Sequence, residues 1–498
     1  MVTAAAAAWI TKLKSARSHL RSFLKRRTAK AGRLFCFGGG DVPHVLILHR
    51  WWGGRIRDGM ATNLVEQVRR AGVVGAGGGG FPTAVKLAAK ADTVIANGAE
   101  CEPLLHKDAV VMERHAAAMV KGMELAMQAV GAAAGIVGIK AKNQHAVEAV
   151  EAACHGTAVR VHLLGDYYPA GDEYDLVYTT TGRLIPPTGI PIQVGAVVCN
   201  VETFVNIAAA VAGRAVTHKT LTIAGAVREP KTLTVPIGTS LRDCIAAAGG
   251  PTVADPVWCI GGMLMGETTD NLDRPVTKTT GGVIVLSREH RVIARKLKPS
   301  PVQNAIGKSA CDQCRYCTEY CPRYLLGYAV EPHQVMRSLA FTATGAAHWN
   351  EWAALCCSCG LCTLYACPEE LYPKEACDQA KAELKKANVK WAGATTVKPH
   401  PMRDGRRVPI KTLMKKMHIL QYEHPAPFAD LSLAPARVVL LLKQSAGSPG
   451  QAFVRAGDRV GEGQVLSDVP EKALGAAVHA PFAGTIAEVT ANHIVLTR

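Results

Sequence analysis

Residues 311–322 read CDQCRYCTEYCP and residues 356–368 read CCSCGLCTLYACP. Each stretch sets four cysteines ahead of a proline: Cys311-x2-Cys314-x2-Cys317-x3-Cys321-Pro322, then Cys356-x2-Cys359-x2-Cys362-x4-Cys367-Pro368. Thiolates at every third position wrap a short loop around one [4Fe–4S] cubane, and the distal cysteine before proline reaches across to the other cluster. With that crossing, one centre takes Cys311, Cys314, Cys317 and Cys367, and the other takes Cys321, Cys356, Cys359 and Cys362. Structural zinc also uses paired cysteines, but it needs four ligands per ion, usually from two C-x2-C pairs far apart in sequence. Two runs of three evenly spaced cysteines, each closed by Cys-Pro, fit cubanes better. The second run has four residues before its last cysteine where the usual run has three, which sets Cys367 apart from the other seven. Cys357 stands out of register and reads as a packing thiol beside the cluster. The chain is first of all an electron conductor.

At 498 residues the chain has room for several domains, at roughly 150 residues each. A hydrophobic content of 48% is ample for buried cores. No apolar stretch approaches the ~18 residues needed to span a bilayer, so no transmembrane segment is expected. The cysteines outside the two runs (Cys36, Cys101, Cys154, Cys199, Cys244, Cys259, Cys357 and Cys377) are scattered without disulfide-framework spacing, which points to a reducing, cytoplasmic compartment. The net charge of +17 is unevenly spread: residues 1–59 hold twelve Lys/Arg against Asp41 and Asp58, a net +10, leaving only +7 for the rest. With no recognition helix and no basic stripe interleaved with aromatics, nucleic acid is set aside as a partner.

Residues 1–59 form a basic extension that reads in three ways: an upstream false start with Met60 the true one, a helical targeting peptide, or a basic tail. Residues 60–215 alternate helix-like and strand-like segments, as an α/β domain should. Residues 216–288 run strand, strand, helix, which suggests a β-grasp module. The cysteine runs lie in a bacterial-type two-cluster ferredoxin segment, 289–390, followed by a Pro- and Lys-containing linker, 391–435. Residues 436–498 are all strand and turn, in the pattern of a barrel-sandwich hybrid. At the tip where such carriers place a modified lysine stands Pro481-Phe482-Ala483, so no swinging arm is expected.

Gly75, Gly77 and Gly80 satisfy G-x-G-x-x-G, a weak signal alone, and only Val73-Val74 precede them where a full strand belongs. Bare glycine backbone nevertheless lets amides approach an anion closely. Pro82 can open a helix whose dipole adds to that attraction, here expected to continue over Val85 to Ala91, and Lys86 can supply a full charge. Asn97 and Asn200 end predicted strands, where open α/β sheets bind ligands but where asparagine also simply turns the chain. Glu100 and Glu102 also read as solvated loop charges, His162 and His479 as packing or surface residues, and Lys278 as structural.

The run GAGGGGFPTAVK (75–86) is similar to the flavin loop of the 51-kDa NADH-binding subunit of respiratory complex I. With NGAECEP (97–103), YPAGDE (168–173), NVET (200–203) and PVTKTTGG (275–282), residues 60–498 resemble the Rnf C subunits and the cobalamin reductases of propanediol-utilisation microcompartments. The flavin domain comes first and the sandwich last, which is the order of the cobalamin reductases. The basic extension, Gly79 where relatives commonly have alanine, and the longer second cysteine run are departures. The resemblance implies a Rossmann-like flavin/NADH domain, an SLBB-like β-grasp domain, and FMN, NADH and two [4Fe–4S] clusters as cofactors. Gly75, Gly77, Gly78, Gly80 and Lys86 would cradle phosphates, Asn97, Glu100 and Asn200 would contact the flavin, and Glu173 with Asp172 would bind the nicotinamide nucleotide. A flavin takes two electrons and releases them singly, so these modules belong together. The expected activity is electron transfer from NADH to a corrinoid within a bacterial microcompartment, beside a shell or electron-transfer protein partner. The alternatives are an Rnf-type module, peripheral to the inner membrane, that feeds ferredoxin or a membrane complex, and a redox scaffold that docks partner proteins.

Overall fold

The computed structural model describes residues 63–341, 351–470 and 473–498; the extension 1–59 and its three readings lie outside them. Apolar runs without alternation, such as TVIANG at 93–98, suit strands covered on both faces. Strands β1 (Thr93–Gly98), β2 (Ala134–Lys140), β3 (Val159–Leu164) and β5 (Ala196–Asn200) build a parallel sheet in the order β3-β2-β1-β5, with β4 a short Tyr167–Tyr168 segment outside it. The order reverses at β1, which opens a crevice at the carboxyl ends of β1 and β5. The register there sets Asn97 beside Asn200. The Ala- and Met-rich helix Lys107–Val130 packs along the helix Val201–Val211. Their closest approach is at Gly122, where a Cβ would overlap the Phe204 carbonyl. Val94, Ala96, Val137 and Val197 from the strands meet Met119, Met123 and Phe204 in the core.

The β-grasp unit is a mixed sheet of β6 (His218–Gly225), β7 (Lys231–Pro236), β8 (Pro256–Ile260), β9 (Glu267–Thr269) and β10 (Gly282–Ser287), in the order β7-β6-β10-β8-β9. Leu221, Ile223, Val283 and Val285 pack with Leu241 and Ile245 of the helix Leu241–Ala247. Short helices flank the cysteine runs, among them Pro322–Leu325, Pro332–Ser338 and Pro373–Lys386. The stretch expected as a linker does more than connect. Its β11 (Val408–Pro409) pairs antiparallel with β4, and the helix Ile410–Lys416 buries Ile410, Leu413 and Met414 in a core shared with Cys359 and Leu361. The lysines of that stretch masked a short apolar stripe.

The last unit comprises β12 (Arg437–Leu441), β13 (Gln451–Ala452), β14 (Arg459–Val460), β15 (Val465–Asp468), β16 (Val478–His479), β17 (Gly484–Val489) and β18 (His493–Thr497). Two sheets, β12-β18-β17-β14 and β13-β15-β16, enclose Leu440, Leu466, Ile486 and Leu496, and this core runs on into Val73 and Leu64 of the first unit. At the tip position Phe482 is buried, with the Arg498 guanidinium 4.3 Å from its ring centre. Among the described residues no helix is long and apolar enough to cross a membrane.

Candidate cofactor sites

The glycine loop closes on itself: the Gly75 amide donates to the Phe81 carbonyl (2.9 Å) and the Gly80 amide to that of Gly75 (3.2 Å). Among the described residues the amides of Gly77, Gly78 and Gly79 donate to no acceptor. Gly78 has φ +106°, which side chains rarely adopt, and a Cβ on Gly78 or Gly79 would meet nothing within 4 Å. Successive free amides on an open loop make an anion nest, so the loop fits a phosphate. Gly77 sits against the Asn200 side chain, which places the loop over the carboxyl end of β5. The following helix spans only Thr83–Leu87, with Pro82 as its cap, rather than continuing over Val85 to Ala91. So short a helix has few aligned peptide dipoles, and the cradle rests on free amides instead.

Lys86 lies beside the loop, its Nζ 6.0 Å from the Phe81 ring centre. Its Nζ donates to the Val198 carbonyl (2.7 Å) and lies 3.6 Å from Glu173 Oε1. Burial opposes its charge, yet Glu173 and its other neighbours hold its pKa above the ordinary lysine value. Asn97 donates to the Gly171 carbonyl (3.0 Å) and accepts from the Ala99 amide (3.2 Å), shaping the turn after β1. Asn200 caps the next helix through the Glu202 amide (3.1 Å) and donates to Asp108 (2.8 Å). Asp172 is committed elsewhere: its Oδ2 caps the helix Glu173–Thr181 through the Asp175 amide (3.3 Å), and its Oδ1 takes a 2.8 Å bond from Arg323. These contacts make it a joint to the cysteine segment.

Glu100 makes no hydrogen bond among the described residues, and burial, with the Asp108 charge nearby, pushes its pKa up to about 8. It is thus a neutral acid at pH 7, able to donate. Its raised pKa means the proton is lost as pH climbs through about 8. Flavin affinity of the native protein should therefore weaken above that pH, whereas Glu100→Gln should bind with a flat profile in a fluorescence titration from pH 6 to 9. Glu102 is not a solvated loop charge: it is buried, and Oε1 accepts from the Leu264 amide (2.6 Å).

Sequence reasoning missed a buried ionic cluster below the loop. Lys107 contacts Asp108 (2.5 Å) and Glu202 (3.2 Å), Lys219 pairs with Glu202, and the Thr220 amide donates to Glu202 (3.1 Å). Burial pulls the Lys219 pKa down to about 8, against the attraction of Glu202. The one sequence signal was Glu202 within NVET; Lys219, on a strand of another domain, offered none.

The two cysteine runs fold alike. Gln313 and Arg315 in the first, and Ser358 and Gly360 in the second, take positive φ (63°, 71°, 59° and 80°) at matching offsets. The extra residue of the second run is absorbed in a π turn, Cys362–Ala366, closed by the Cys367 amide on the Cys362 carbonyl at 3.1 Å. Cys367 thereby lines one pocket with Cys311, Cys314 and Cys317. Amides of Gln313, Ser358 and Leu371 donate to the sulfurs of Cys311, Cys356 and Cys367 at 3.2–3.3 Å, the kind of support that orients cluster ligands. Cys321, Cys356, Cys359 and Cys362 are all buried. Burial pushes the Cys321 and Cys362 thiols well up, whereas the adjoining Cys377 thiol holds Cys356 down to about 7. Among the described residues no three His, Cys, Asp or Glu converge tightly enough to grip a single metal ion. Four thiols around one pocket, Cys311, Cys314, Cys317 and Cys367, fit the four-thiolate ligation of a cubane.

Cleft and loops share a wall. The Tyr168 hydroxyl donates to the Cys359 carbonyl (2.5 Å), and Arg323, two residues after Cys321, pairs with Asp172 and lies 3.6 Å from the Tyr174 ring centre.

The chain is therefore an electron-transfer oxidoreductase that joins an FMN-binding domain to an iron–sulfur domain. Residues 68–209 match the Nuo51 FMN-binding domain, 220–267 the SLBB domain, 310–372 the 4Fe-4S dicluster domain and 423–497 the RnfC barrel sandwich hybrid domain. It is 41% identical to cobalamin reductase PduS of Citrobacter freundii and 40% to that of Salmonella typhimurium, each over 88% of this chain and 97% of the relative. The C subunit of the proton-translocating ferredoxin:NAD(+) oxidoreductase complex of Clostridium ljungdahlii is 38% identical over 52% of this chain and 55% of its own. The chain belongs to the cobalamin reductase PduS family.

Proposed function

We propose that the chain carries electrons from NADH, through FMN in the glycine-loop cleft and two [4Fe–4S] centres, to a corrinoid. The observation that carries this reading is the shared wall: Tyr168 on the Cys359 carbonyl and Asp172 on Arg323 leave cleft and cysteine loops in direct contact. Kinship with PduS over nearly its whole length supports the corrinoid as acceptor. When bound, the flavin takes two electrons together and releases them singly to one-electron clusters.

The chain's own groups bind and orient. The amides of Gly77, Gly78 and Gly79, in the loop from Gly75 to Gly80, hold the phosphate. Asn97 and Asn200 fix the floor of the cleft, and protonated Glu100 donates from its carboxyl. The Lys86–Glu173 pair sits at the nucleotide side, with Glu173 the group offered to the nicotinamide nucleotide. Cys311, Cys314, Cys317 and Cys367 hold one cluster, and Cys321, Cys356, Cys359 and Cys362 the other. Kinship with PduS supports a location in a bacterial microcompartment, beside a shell or electron-transfer partner, over the inner-membrane periphery.

The test adds NADH and cob(III)alamin or cob(II)alamin to anoxic, cluster-replete protein and follows the corrin absorbance. Corrin-dependent NADH oxidation is expected. Rapid oxidation only with ferredoxin or a redox dye would favour an Rnf-type module, and none at all a scaffold.

A further inference from the structure

The glycine loop is held from outside its own domain. We propose that the β-grasp and barrel-sandwich domains form a clamp that presets the peptide planes of residues 75–81 for the flavin phosphate, with Lys219 and Lys278 as positioning residues. The inference rests on the reading of that loop as the phosphate cradle.

The first contact is central. Lys219 on β6 is buried and donates from Nζ to the Ala76 carbonyl at 2.9 Å, while the Ala76 amide donates to Thr203 Oγ1 at 3.0 Å. In a trans peptide the carbonyl and the next amide point in opposite directions, so fixing the Ala76 oxygen inward turns the Gly77 N–H outward. Burying an ammonium is costly unless it is paired, and Glu202, itself held by Lys107 and the Thr220 amide, supplies the charge that keeps Lys219 there.

The second and third contacts hold the ends. Lys278 is buried without a carboxylate partner: its Nζ donates to the carbonyls of Gly72 (2.6 Å) and Ala477 (2.7 Å), and its amide donates to Gln444 Oε1 (3.1 Å). One side chain thus joins the turn before the loop to the sandwich domain. At the far end the Ala446 amide donates to the Gly80 carbonyl (2.9 Å), and a Cβ on Gly80 would lie 2.9 Å from Thr279 Cγ2. Between these anchors Gly77, Gly78 and Gly79 keep their amides free of any acceptor among the described residues.

Preorganisation is the physical use of such a clamp. Glycine loses more conformational freedom on ordering than any other residue. A loop with four consecutive glycines, left loose, would lose that freedom on binding and weaken the ligand's hold; one ordered beforehand does not. This also gives work to the sandwich domain, whose tip position holds Phe482.

The test uses flavin-depleted full-length protein and titrates FMN by fluorescence quenching, with the melting temperature of the flavin-free form measured alongside. Lys219→Met is expected to weaken FMN binding about tenfold or more, the worth of a hydrogen bond to a charged group, with most of the loss recovered in Lys219→Arg. Lys278→Met, which severs the sandwich tie, is expected to weaken it severalfold, and decides the matter if Lys219→Met does not fold. Native affinity in both Met variants, while Gly78→Val loses FMN, overturns the clamp alone. FMN retained by Gly78→Val as well overturns the cradle and the clamp together.

Discussion

Cys359→Ala is expected to strip the buried iron–sulfur centre and stop electron delivery to any external acceptor while leaving the flavin in place. Cys359 is buried among Cys321, Cys356 and Cys362, and its own carbonyl takes the Tyr168 hydroxyl from the flavin unit. The Cys357 thiol hydrogen-bonds that of Cys359 but belongs to a residue set one position out of the run, so it is not expected to take over as a ligand. Loss of a residue that merely orients a metal ligand costs ~10–100-fold, so loss of the ligand itself should exceed that in acceptor reduction. Iron should fall to about half of the native content, FMN should stay at the native level, and the flavin should still bleach with NADH. Full iron content with undiminished acceptor reduction would remove Cys359 from the cluster.

Gly78→Val is expected to weaken FMN by ~100-fold or more, about 2.7 kcal/mol. At φ +106° a β-branched residue is a genuine outlier, and the backbone must shift to accept it. That shift turns the neighbouring free amides off their common target. The side chain itself meets no protein atom within 4 Å, so overpacking is not the cause. Gly457→Val in the sandwich domain is the matched control: φ is +93°, nothing lies within 4 Å, and it is far in sequence from the loop. Similar loss of melting temperature in both, with FMN binding lost only in Gly78→Val, is the expected pair of results.

The parts of this fold that could be read from the chain are those with local signatures. The strand ending at Asn97, the helix opening at Asn200 and the two cysteine runs each declare themselves within a dozen residues. Other features could not be read, for identifiable reasons. The π turn at Cys362–Ala366 exists because the last thiol must still reach the first cysteine loop, a constraint set by partners some fifty residues upstream. The pairing of Asp172 with the buried Arg323 could not be read either, because nothing in YPAGDE shows that arginine. Lys107, Asp108, Glu202 and Lys219 are ordinary charges in sequence and form one buried network only after two domains meet. The helix Ile410–Lys416 hid in a lysine-rich stretch because three apolar residues are too few to stand out.

Electron flow through this chain requires a two-electron acceptor and one-electron conductors held in contact. The direct measurement is iron, zinc and flavin content of anaerobically purified protein, with its visible and electron paramagnetic resonance spectra before and after NADH. The account predicts a brown protein with about eight iron atoms and one FMN per chain, and cluster signals that appear as NADH bleaches the flavin. A colourless protein with zinc on its cysteines and no flavin would contradict it.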